Sequence, residues 1–305
     1  MSSRDDAGGH AIERGEVRRA FDRAAAGYDA AAELQRRVRD ELLSRLDYVK
    51  LEPAAVLDLG TGTGHAALAL KRRYPASTVV AIDLAESMLR EARRRQTLFR
   101  RFGRVCADAA ALPLRSGAVD LVYSSLMLQW CDVPDGVFAE CRRVLRPGGL
   151  LSFTTFGPDT LVELRRAWAE ADDGGVHVSR FLDMHDVGDA LVRAGFAEPV
   201  MDVDRITLTY ADVRGLMRDL KAIGAHNAAS GRRRGLTGKS TFARMVEAYE
   251  RVRRDGRLPA TYEVVYGHAW APTTSGRRAD PPGEVRVPVG RIGRRPAGSA
   301  GPSGA

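Results

Sequence analysis

Between residues 54 and 156 the chain alternates between two hydrophobic periods. Short apolar runs at 54–59, 78–82, 104–107, 119–124 and 150–156 read as strands. Between them, 65–73, 87–95 and 133–144 space their apolar residues three and four apart, as amphipathic helices do. This alternation predicts a parallel sheet with helices on both faces. Arg146-Pro147-Gly148-Gly149 is read as the stop of the third helix. Upstream, Val17, Ala20, Phe21, Ala24 and Tyr28, then Leu34, Val38, Leu42 and Leu46, predict a helical lead-in over 13–49, which Gly27 interrupts beside Tyr28.

After residue 157 the pattern changes. Helices are expected near 160–170 and 184–194, a strand near 201–209, and amphipathic helices over 211–225 and 240–254. Gly256 and Pro259 are read as ending the last helix, and 262–270 as a final strand closing the sheet edge. The expected organisation is a disordered N-terminus (1–12), the helical lead-in (13–49) and a ligand-binding core (50–156). A cap with the last strands (157–272) and a tail (273–305) follow.

Composition excludes several classes. With 305 residues, 44% hydrophobic and 28% charged, the chain has the make-up of an ordinary globular protein. No apolar run approaches the ~20 residues of a membrane span. The first six residues are polar and lack the apolar stretch of a signal peptide. Cys106, Cys131 and Cys141 are scattered, without a Cys-x-x-Cys pair, which fits a reducing cytoplasm better than a disulfide framework or a zinc site. The net charge is +8, and half of it lies beyond residue 272, where six arginines face two acids. That Gly/Pro/Arg-rich tail has no apolar period and is expected to be disordered; lacking aromatic residues, it makes a weak case for nucleic-acid binding.

The candidate chemistry centres on Asp58-Leu59-Gly60-Thr61-Gly62-Thr63-Gly64 at the end of the first strand. Glycines there allow positive φ and close ligand approach. A dinucleotide fingerprint or a P-loop would set such a turn against phosphate. This turn instead carries a carboxylate and no lysine or arginine. Asp83 and Asp108 end the next two strands, and 124–130 follows the fourth, so all converge where ligands of parallel sheets bind. Three acids suit a cationic ligand with a ribose. Asp83, about twenty residues past the glycines, is placed to accept from both ribose hydroxyls, and Asp108 from an adenine amino group. For any one aspartate, the plain alternative is a helix cap.

Together the Asp-x-Gly-x-Gly-x-Gly turn, the acid ending the second strand and Asp108-Ala109-Ala110-Ala111-Leu112-Pro113 resemble the class I S-adenosylmethionine-dependent methyltransferases. The resemblance implies a Rossmann-like α/β fold, a mostly parallel seven-stranded sheet with helices on both faces and a helical cap late in the chain. It assigns S-adenosyl-L-methionine to Asp58, Gly60, Thr61, Gly62, Gly64, Asp83, Leu84, Asp108, Ala109 and Ser124.

A narrower resemblance covers most of the chain. Phe21-Asp22-Arg23-Ala24-Ala25-x-x-Tyr28, Leu128-Gln129-Trp130, 155–161, 181–186, 216–227 and 235–239 are similar to the malonyl-acyl-carrier-protein O-methyltransferases. That family implies methylation of the free carboxyl of a malonyl thioester at the opening of biotin synthesis, with an acidic acyl-carrier protein as partner. Arg218, Lys221, Arg232 and Arg233 are then expected to dock the carrier and its phosphopantetheine arm, although a basic helix face alone reads as solvated. Tyr28, Gln129 and Trp130 are expected as walls and donors of the substrate site. A carboxylate acceptor is already ionised at neutral pH, so no catalytic base is assigned among His177, His185, His226 and His268, and no metal is expected. Another class I methyltransferase, for a small carboxylate, a quinone or RNA, and a non-catalytic binding module remain the alternatives.

Overall fold

The computed structural model describes residues 12–131, 133–172, 177–179, 181–224 and 238–273. Three helices, α1 (Arg14–Ala24), α2 (Tyr28–Ala31) and α3 (Glu33–Arg45), lead into alternating elements. These are β1 (Ala55–Leu59), α4 (His65–Arg73), β2 (Thr78–Asp83), α5 (Glu86–Arg95), β3 (Gly103–Cys106), β4 (Val119–Ser124), α6 (Pro134–Val144) and β5 (Leu145–Phe156). The later part comprises α7 (Val162–Ala171), α8 (Met184–Arg193), β6 (Ala197–Tyr210), α9 (Val213–Ala222), α10 (Lys239–Glu250) and β7 (Leu258–Trp270). Residues 274–305 of the expected tail (273–305), residues 1–11 of the expected N-terminus (1–12), the 225–227 and 235–237 parts of the motifs, and Arg232 and Arg233 lie outside the described residues.

The strands form one seven-stranded sheet in the order β3-β2-β1-β4-β5-β7-β6. β1 to β5 are parallel, and β7 runs antiparallel to both neighbours. Alternate residues face opposite layers: Val56 packs with α3 and α4 residues, Leu57 with α6 and α8 residues. The strand order reverses between β1 and β4, so the crevice at their C-terminal ends is the ligand position of a doubly wound sheet.

Two expectations require correction. The last strand does not close the sheet edge; it inserts between β5 and β6, and β6 is the edge. The burial pattern gives the reason: β7 is buried along most of its length on both faces, whereas β6 is exposed at many positions. Residues 146–149 also do more than stop α6. They belong to β5, which pairs Leu145 with Val119 and resumes at Leu150 opposite Leu121 after a bulge.

The cap is attached to the sheet through its buried polar residues. Thr160 Oγ1 donates to the Glu263 carbonyl at 3.0 Å, and the Glu263 carboxylate accepts the Asp159 N–H at 2.6 Å. Glu163 on α7 accepts the Thr261 N–H at 3.0 Å. The Gly157-Pro158-Asp159-Thr160 run thus pins the β5–α7 turn to β7. In the 181–186 motif, Asp183 caps α8 by accepting the His185 N–H at 2.8 Å.

Candidate active site

The glycine turn closes onto β2. Gly60 and Thr61 donate their N–H groups to the Ile82 carbonyl at 2.8 and 3.0 Å. Gly62 has φ +54°, its N–H donates to Asp83 Oδ2 at 2.8 Å, and no atom lies within 4 Å of where a Cβ would stand. Its missing side chain leaves room for a ligand. Gly64 has a different task. At φ +83° it begins α4, and a Cβ there would come within 2.6 Å of the Ala92 Cβ on α5. It lets two helices pack, and it lines neither of the two cavities at the turn.

Asp83 is half-buried with two backbone partners, Gly62 N–H on Oδ2 and Ala85 N–H on Oδ1 at 2.9 Å. Burial pushes its carboxyl up to about 6; the backbone N–H groups oppose that rise and Asp22 adds to it. Each oxygen keeps acceptor capacity for a second donor. Asp58, 1% exposed, accepts from Thr61 Oγ1 at 2.5 Å. Burial, with a smaller contribution from Asp83, raises it to about 7. Two carboxyls held above their ordinary range mark a site suited to a cation. Asp108 lies in the loop two residues past the end of β3, its Oδ2 paired with Arg14 Nη1 at 2.7 Å and its Oδ1 accepting the Ala110 N–H at 2.9 Å.

The lead-in helices form the wall above the turn. Asp22 accepts the Ser87 N–H at 2.9 Å, tying α1 to the first turn of α5. Asp29 accepts from Thr63 Oγ1 at 2.7 Å and pairs with Arg95, which fastens α2 to the glycine turn. Between these anchors, the Phe21 ring lies 6.5 Å from Tyr28 and meets Trp130 edge-on at 5.3 Å. Burial, then Asp83, holds the Tyr28 phenol well above its ordinary value, so it remains a neutral donor.

Three cavities meet here. One, about 120 Å³, is lined by Gly60, Gly62, Asp83, Leu84, Asp108, Ala109 and the aromatic trio. A second, about 220 Å³, carries Asp58, Thr61, Arg36 and Arg39 and shares Tyr28, Gly60 and Gly62 with the first. A third, about 320 Å³, lies under the cap and is mainly apolar, with Phe156, Leu161, Trp168, Phe181 and Met217. Trp130 borders both the first and the third.

At that junction the backbone is strained: Leu126 has φ +51°. Its N–H donates to Thr154 Oγ1 at 2.9 Å, and its carbonyl accepts Gln129 Nε2 at 2.7 Å. Gln129 lines the third cavity, where its buried Oε1 has no partner among the described residues. Lys221 also lines that cavity; Arg218, one turn earlier on α9, is exposed and does not.

Ser124 lines none of these three cavities. Its buried hydroxyl donates to the Leu59 carbonyl at 2.8 Å and braces β4 against β1, while the neighbouring Ser125 lines the cavities. Arg14, Asp29, Gln35, Arg36 and Arg39 were not anticipated. They come from the lead-in helices, and no local motif marks them.

Comparison with known proteins shows what the chain is similar to. The sequence profile of a family described as "Methyltransferase domain" matches residues 57–153. The malonyl-acyl-carrier protein O-methyltransferase of Laribacter hongkongensis is 59% identical over 274 residues, covering 87% of this chain and 92% of that protein. The protein of the same name from Halorhodospira halophila is 52% identical, covering 93% and 97%. The chain belongs to the malonyl-acyl-carrier protein O-methyltransferase family. A crystal structure of a Bacillus halodurans methyltransferase superposes with a TM-score of 0.55 at 21% identity, covering 77% of this chain and all of that one, a likeness of fold. The sheet order and the family match make the fold the Rossmann-like class I methyltransferase fold. Among the described residues no helix is long and apolar enough to cross a membrane.

Proposed function

We propose that the protein transfers a methyl group from S-adenosyl-L-methionine to the free carboxyl of a malonyl thioester, giving the methyl ester and S-adenosylhomocysteine. The observation that carries this reading is the meeting of an acidic, glycine-walled cavity and an apolar one at Trp130. The first cavity fits the cofactor. Asp83 has acceptor capacity on both oxygens for a ribose, Gly62 leaves the space a side chain would fill, and Leu84, Asp108 and Ala109 line the adenine end. Asp58, Thr61, Arg36 and Arg39 line the adjoining space for the methionine part. When bound, the cofactor supplies an activated methyl on a sulfonium.

Little is then left to acid–base chemistry. A carboxylate with an ordinary pKa near ~4 is ionised at neutral pH. The protein's task is to align it, and orientation of this kind can contribute about 7–11 kcal/mol. An anion and a cation become neutral products, so a site that excludes water favours the reaction. Phe21, Tyr28 and Trp130 provide that wall, and their faces suit a positive charge. Gln129, held by the Leu126 carbonyl, retains one amide N–H for the acceptor. Tyr28, kept protonated, is the second donor.

We assign the carrier protein to the basic residues of the cap, Lys221 at the cavity and Arg218 one turn away on α9, together with Arg232 and Arg233, which follow in sequence. Following the motif resemblance, we place the reaction at the opening of biotin synthesis and the protein in the cytoplasm. The test is incubation with methyl-labelled cofactor and malonyl-carrier, malonyl-CoA, acetyl-carrier or total RNA. Label is expected as a base-labile ester on the two malonyl thioesters alone. No transfer to either, or transfer to RNA instead, would overturn the assignment.

A further inference from the structure

A cleft of about 480 Å³ lies at the opposite end of β5 from the acceptor cavity. Leu150 lines it and Phe156 lines the acceptor cavity, a span of about 20 Å at ~3.3 Å per residue. α3 bridges the same interval, with Gln35 at the acceptor cavity and Leu42 at the cleft. The methyl-transfer reading gives this cleft no role. Its volume is larger than that of the acceptor cavity and falls among typical ligand pockets of about 300–1,000 Å³.

The lining pairs apolar walls with unused donors. Leu42, Leu46 and Leu150 form a buried floor. Tyr266 is 2% exposed, and its hydroxyl has no hydrogen-bond partner among the described residues. Leaving such a group unmatched is unfavourable, and a ligand acceptor would match it. Burial raises this phenol to about 12, so it stays a donor. Arg45 lies 4.0 Å over the Tyr266 ring, and its Nη2 donates to Asp202 Oδ2 at 2.8 Å, so the one acid in the lining is already paired. Lys50 has no ion pair among the described residues. Burial and Arg45 lower the pKa of His268, leaving it neutral at pH 7. Arg45 Nε also donates to Glu41 Oε1 at 3.0 Å, which leaves Lys50 as the cation of the lining without an ion pair among the described residues.

We infer that this cleft is a second small-molecule site for an amphiphilic monoanion, with its apolar body on Leu42, Leu46 and Leu150 and its carboxylate-like head accepting from Tyr266 and Lys50. The inference is independent of the methyl-transfer reading. The test is calorimetric titration of the full chain with octanoate, with octylamine and octan-1-ol as comparisons. S-adenosylhomocysteine and malonyl-CoA are kept saturating so that the catalytic cavities are filled. Octanoate is expected to bind one-to-one with a Kd of about 1 mM or tighter, and the amine and the alcohol more weakly by at least about tenfold. Tyr266→Phe keeps the ring beneath Arg45 and is expected to weaken octanoate about three- to tenfold while leaving the unliganded Tm unchanged or raised. Lys50→Met, at an exposed position, is expected to weaken it similarly. Absence of octanoate binding, equal binding of octylamine or octan-1-ol, or unchanged affinity in either variant would overturn the inference.

Discussion

Asp83 joins three pieces of backbone: it ends β2, orders the glycine turn through Gly62 and starts the next loop through Ala85. Hydrogen bonds to a charged group contribute about 1.5–3 kcal/mol each. Asp83→Asn, which keeps the shape but loses the charge, is therefore expected to weaken S-adenosylmethionine binding about 10- to 100-fold by calorimetry. Retained affinity would contradict the ribose assignment. The same carboxyls predict a pH dependence. Asp83 titrates near about 6 and Asp58 near about 7, and a bound cation favours their ionised forms. Binding then releases protons, so affinity is expected to fall by roughly an order of magnitude from pH 8 to 5.5, and Asp58→Asn to remove the upper part of that fall. For the unliganded protein the sign reverses. Both groups bind more protons folded than unfolded, so their contribution to stability declines as pH rises from about 4 to about 7. A Tm rising through this interval in the wild type but not in the Asp58→Asn, Asp83→Asn double variant relative to it would contradict that sign.

At the scale of elements, what could be read in the sequence was what a short window encodes. The glycine turn and the acids at the ends of β2 and β3 are contiguous with the strands that place them. For Ser124, β4 is buried on both faces, so alternation gives no sign of whether it or Ser125 lines the cavities. The place of β7 was hidden for the same reason, and Pro259, read as a helix stop, lies within it. Pairs such as Arg14 with Asp108, 94 residues apart, and Asp29 with Arg95, 66 apart, exist only once the fold brings them together. The motif around Gly157 was legible as a resemblance, but its reason is contact. A Cβ there would come within 2.7 Å of Glu263 Cδ and 2.9 Å of Cγ, in a carboxylate already holding the Asp159 N–H. Gly157→Ala is expected to destabilise the fold by about 1–3 kcal/mol. Because Thr160 and Leu161 line the acceptor cavity, it should also raise KM for malonyl thioesters more than for the cofactor. A variant with unchanged Tm and unchanged KM would mean that the turn is not pinned by Glu263.

For the whole molecule, the net charge bears on the encounter with the acceptor. The net charge is +8, half of it in the tail beyond residue 272, whereas the two cavities at the glycine turn balance Asp29, Asp58, Asp83 and Asp108 with Arg14, Arg36, Arg39 and Arg95. On the proposed reading, the surplus of basic residues steers an acidic carrier towards the protein. Steering acts on encounter and orientation, so its loss should be visible in KM and in salt dependence, with kcat nearly unchanged. Arg218→Glu combined with Arg232→Glu and Arg233→Glu is expected to raise KM for malonyl-carrier by about tenfold or more at low salt. The difference from the wild type should shrink as ionic strength shortens the screening length from ~30 Å at 0.01 M to ~8 Å at 0.15 M. Malonyl-CoA has no carrier surface and is expected to respond much less. Equal losses with both thioesters would place these arginines at the phosphopantetheine arm, or in the fold itself, and remove the reason for a protein-docking face.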